Sequence, residues 1–85
     1  MEIPEKKQIE ILKKLQGGVY ESFVNYSCGL ESNENLLKSY LKDKKKNGSK
    51  ILTANQMIEA RKAQLEELDL FDKVIKEKLF KLENK

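Results

Sequence analysis

The sequence predicts an all-α protein: a short N-terminal helix, then a long antiparallel helical hairpin, coiled-coil-like and in a three-helix arrangement. Three observations carry that expectation. Apolar residues recur at 3–4 spacing through most of the chain, Gly and Pro stay out of long stretches, and one strong turn signal falls near the middle. In the first half the stripe is Ile9, Leu12, Gln16, Val19, Phe23, Tyr26, Leu30, Asn33, Leu37 and Tyr40. In the second it is Ile51, Ala54, Ile58, Arg61, Leu65, Leu68, Asp72, Ile75, Leu79 and Leu82. A helix bearing such a stripe needs another helix to cover it.

The first helix is expected over about 4–16. Pro4 suits a first helical position, and Lys13 and Lys14 suit a helix C-terminus. Gly17-Gly18 then marks a bend or stop, each glycine costing about 1 kcal/mol relative to alanine inside a helix. One uninterrupted helix from 5 to 46 is the alternative, because the stripe keeps its phase across the glycines. The second helix is expected over about 18–46, with a kink near 28–32 where Ser27-Cys28-Gly29 weakens it. A turn over 47–52 follows from Asn47-Gly48-Ser49. The last helix, about 53–83, would start from Thr53 as N-cap with Gln56 completing a capping box. A turn centred near Ser49 makes facing residue numbers add to about 98. Asp72 then meets Tyr26, Arg61 meets Leu37, and Leu82 meets Gln16.

Eighty-five residues make one small domain. Charged residues are 36% of the chain and aromatics 7%, which favours exposed helices with a narrow core over a thick interior. The net charge is a mild +3, and sixteen of the seventeen basic residues are lysines. Base readout and bidentate phosphate binding favour arginine, so the composition leans away from sequence-specific nucleic-acid recognition.

The chain has no His and one Cys, so the usual zinc sets and Ser/Cys–His nucleophile pairs are impossible and no enzyme is expected. Cys28 reads as a small packing residue. Gly17-Gly18 lacks phosphate-loop spacing, and the acids around Glu66-Glu67 and Asp69–Asp72 read as a solvated face. No cofactor, metal or small-molecule substrate is expected. No signal-like segment or apolar run of membrane-spanning length occurs, so the expected compartment is the cytoplasm and no membrane is expected as partner. No motif carries a family resemblance.

Apolar residues also flank the stripe, more widely than a two-helix seam uses. The expected function is therefore a non-enzymatic protein–protein interaction module, such as an adaptor, assembly chaperone or inhibitor, with a protein partner or self-association. Ile9, Ile11, Leu12, Leu15, Tyr20, Val24, Leu70, Val74 and Phe80 are the candidate partner-binding residues. The alternative is a small nucleic-acid-binding regulator using a lysine-rich tip of Lys42, Lys44, Lys45, Lys46 and Lys50.

Overall fold

A computed structural model describes residues 1–84. It contains two α-helices of 36 residues each, α1 (Glu5–Tyr40) and α2 (Gly48–Glu83), joined by a 3-10 turn (Leu41–Asp43) and a short connection. No strand occurs among the described residues. The helices lie side by side as an antiparallel hairpin, and the molecule is a rod of 61 × 19 × 17 Å.

The first correction concerns Gly17-Gly18. α1 passes through them without a break, so the separate helix over 4–16 and the three-helix arrangement do not form within the chain. Two glycines cost about 2 kcal/mol of helix propensity. Seam residues on both sides, Ile9 and Leu12 before and Val19 after, pack against the same face of α2 and hold the helix together. The helix is equally continuous through Ser27-Cys28-Gly29.

The second correction is the turn, which sits earlier than its strongest sequence signal. α1 tightens into the 3-10 turn at Leu41, and α2 begins at Gly48 rather than Thr53. Local bonds explain the placement. The Lys46 backbone N–H donates to Asp43 Oδ1 (3.2 Å), and the Asn47 side chain donates to the Tyr40 carbonyl (3.2 Å). Asp43 and Asn47 thus tie the connection from both sides, as short polar side chains do in turns. The Thr53 hydroxyl instead donates back to the Ser49 carbonyl within α2 (3.1 Å), so it caps nothing.

Moving the turn moves the register. Leu12 packs against the cluster containing Leu79, and Phe23 shares a depression with Leu68, so facing residue numbers add to about 91 rather than 98. The difference is one heptad. A shift of seven keeps the same side chains in the seam and changes only their partners. Every stripe residue is accordingly buried or half-buried except Phe23. Leu82 lies beside Gln8 and Leu12, not opposite Gln16, so α2 accompanies α1 well past the glycines toward its N-terminus.

The polar seam residues follow the new register. The Arg61 guanidinium lies over the Tyr26 ring at 5.4 Å and donates to Gln64 Oε1 at 3.1 Å, away from Leu37. Gly29 makes room for it, since a Cβ built there would stand 3.1 Å from Arg61 Nε. Asp72 does not reach Tyr26. One carboxylate oxygen accepts from Lys76 (2.8 Å), while Oδ1 is buried without a hydrogen-bond partner. The hydrogen bond and charge of Asp72 raise the Lys76 pKa above the ordinary 10.5. Lys76 is charged in both folded and unfolded chains below 10.5, so whatever the pair adds is present in full there. On the Lys76 side it is lost as pH climbs through the raised value, in strong alkali.

The core is thin. Its buried apolar residues are Val19, Ala54, Ile58, Ile75 and Leu79, of which only Ile75 is nearly inaccessible, at 1% exposure. Ion pairs on the rims, Lys7–Glu10, Lys62–Glu59, Lys73–Asp69 and Lys81–Glu77, are exposed. Such pairs contribute about 0.3–0.5 kcal/mol each.

Candidate interaction surface

Fifteen large apolar side chains remain exposed among the described residues. They include seven of the nine candidate partner-binding residues: Ile11, Leu15, Tyr20, Val24, Leu70, Val74 and Phe80. Ile9 and Leu12 are the exceptions. Both are half-buried and pack on the Val19–Ile75–Leu79 cluster, so they belong to the fold rather than to a free surface.

The seven do not form one patch. Ile11 and Leu15 project beside the seam in the half of the hairpin nearer its open end, and α2 contributes Leu68 and Phe71 closer to the middle of the rod. These side chains, with Gly18 and Ser22, line a groove of about 490 Å³. Ile11 also lines a second depression of about 350 Å³, floored by Ile3, Leu12 and Leu82. Tyr20 lies in a different depression with Phe23, Asp69 and Asp72. The remaining candidates, Val24, Leu70, Val74 and Phe80, stand 47–68% exposed.

Helix geometry explains why a groove forms where it does. Residues Ile11, Leu15, Gly18 and Ser22 follow each other at intervals of four, three and four, which stacks them along one edge of α1. Gly18 presents no side chain to fill that edge, and a Cβ built there would meet nothing within 4 Å. The groove is therefore open beside a glycine that intramolecular packing does not require.

Its charged margin is one-sided. Lys14 lines the main groove, and Lys78 and Lys81 line the second depression, while no carboxylate of the described residues lines either. Lys81 pairs with Glu77 at 3.1 Å, whereas Lys14 and Lys78 form no ion pair among the described residues. The partner-binding residues expected from the sequence include neither Leu68, Phe71, Lys78 and Lys81, whose place beside Ile11 and Leu15 depends on register, nor Lys14 and Gly18 on α1 itself.

The opposite end of the rod carries the lysine tip. Lys42, Lys44, Lys45, Lys46 and Lys50 are all exposed there, with the Lys50 ammonium 5.7 Å from the centre of the Tyr40 ring. Cys28 is exposed on α1 instead of packed, alongside Glu31, Ser32 and Leu36. No group of three or more His, Cys, Asp or Glu side chains that could hold a metal occurs among the described residues. No helix among them is long and apolar enough to cross a membrane.

No protein-family model matches the chain, and comparisons with curated proteins and with solved structures gave no match either.

Proposed function

We propose that this chain is a non-enzymatic protein–protein interaction module that acts through apolar helix faces left open beside its own seam. The observation that carries the reading is the contrast between five buried apolar residues and fifteen exposed large ones. Scattered exposed hydrophobes are ordinary, but a contiguous groove with an apolar floor marks an association surface. At about 25 cal/mol per Å² of apolar area, covering several such side chains supplies several kcal/mol toward association. Adaptor, assembly chaperone and inhibitor are all roles that such a rod can fill.

The test is the mass, by light scattering, of the full chain isolated gently from its native cells. The expected result is a particle heavier than the 9.9 kDa single chain, reverting to that mass when Leu15→Glu and Phe71→Glu are introduced together. A lone, highly stable monomer of wild-type sequence contradicts the reading. The competing nucleic-acid reading rests on the exposed tip lysines, and steeply salt-dependent DNA or RNA binding lost on neutralising Lys44, Lys45 and Lys46 would favour it.

A further inference from the structure

We infer that the groove at the open end of the hairpin receives an acidic amphipathic helix from a partner protein; the inference rests on the interaction reading and names the partner's chemistry. Two features of the groove select that occupant. Its floor is apolar, and its two depressions, which share Ile11, together reach along α1 from Gln8 to Ser22. Fourteen residues of helix cover about 21 Å at 1.5 Å per residue, so a partner helix of about four turns matches it. Its margin is cationic, with Lys14, Lys78 and Lys81 and no carboxylate among the described lining residues, and Lys14 and Lys78 form no ion pair among the described residues. Carboxylates flanking an apolar stripe complement that margin.

Charge also disfavours a second copy of the same groove as the cover. Pairing the groove with itself about a two-fold axis brings Lys14 and Lys78 against the same lysines of the second copy, and like charges brought together at an interface are costly. Gly18 adds room: its open position lets a partner backbone or large side chain approach α1 closely.

The experiment uses the full chain and two synthetic helical peptides sharing one stripe of four leucines, flanked by glutamates in one and by lysines in the other. Fluorescence anisotropy of each labelled peptide is followed as the protein is added. The acidic peptide is expected to bind on the order of tenfold more tightly, with affinity falling as salt rises. Lys14→Glu with Lys78→Glu is expected to reverse the preference, and circular dichroism verifies that these exposed substitutions leave the hairpin folded. Equal binding, preference for the basic peptide, or binding of neither overturns the inference. So does a self-associated chain that becomes monomeric with Leu15→Glu, which puts a second copy in the groove. So does binding to phosphatidylserine vesicles that Lys14→Glu and Lys78→Glu abolish while the peptides fail, which makes the surface lipid-facing. If the native particle is heavy but the peptides are not distinguished, the partner's chemistry falls and the interaction reading stands. If the native chain is also a lone monomer, both fall.

Discussion

Replacing Ile75 with alanine is expected to cost about 3–4 kcal/mol and to lower the thermal midpoint by on the order of 20 °C. Ile75 is the most enclosed side chain in the molecule and the centre of the cluster with Val19 and Leu79. Truncation removes three carbons from the buried cluster where the seam is most enclosed among the described residues. A thin core has no second layer to relax into the cavity, so the cost belongs in the upper part of the usual range. Loss of the helical signal at 222 nm on heating measures it. A change of less than about 1 kcal/mol would mean that Ile75 is not central to the packing.

Replacing both Gly17 and Gly18 with alanine acts in the other direction. Each is expected to add about 1 kcal/mol, and the pair to raise the thermal midpoint by on the order of 10 °C. Both glycines are helical, neither has a positive φ, and a Cβ at either meets nothing within 4 Å. Propensity is then the sole intramolecular effect. If α1 stopped at these residues, the alanines would extend a helix where the chain must bend, and stability would fall. The same melting experiment therefore decides between the continuous helix and the interrupted one. The two glycines also separate folding from binding. Gly18 lines the groove and Gly17 does not, so Gly18→Ala should stabilise the chain while shallowing the groove.

Much of the fold was legible because its governing signal is a period. The 3–4 spacing assigned residues to the seam irrespective of where the chain turns, and burial follows that assignment even at Asn33, Arg61 and Asp72. Register was not legible for the same reason: a period of seven repeats, and a hairpin displaced by one heptad has the same seam. What distinguishes the two registers is local. Asp43 and Asn47 bond to nearby backbone and draw the turn before Gly48, and Gly29 leaves a notch that Arg61 enters. Neither interaction has a distinctive sequence spacing, whereas Thr53 and Gln56 display a capping pattern that goes unused.

The candidate surface was partly legible. Flank residues such as Ile11 and Leu15 follow from the width of the apolar face. Their pairing across the seam with Phe71 and Lys78 follows from register and so was not legible. Ile9 and Leu12 lie in the stripe itself, and continuity of α1 sets them, half-buried, against the Val19–Ile75–Leu79 cluster.

The groove exists only in the register that sets Leu15 near Phe71, so the most direct measurement is disulfide trapping in a Cys28→Ser background. Phe23→Cys with Leu68→Cys, which share a depression in this register, is expected to form an intramolecular bond rapidly on mild oxidation. Leu30→Cys with Leu68→Cys, the pair that a one-heptad slip would oppose, is expected to remain reduced. Fast trapping of the second pair and not of the first would contradict the structure on which the groove, and the partner inferred for it, depend.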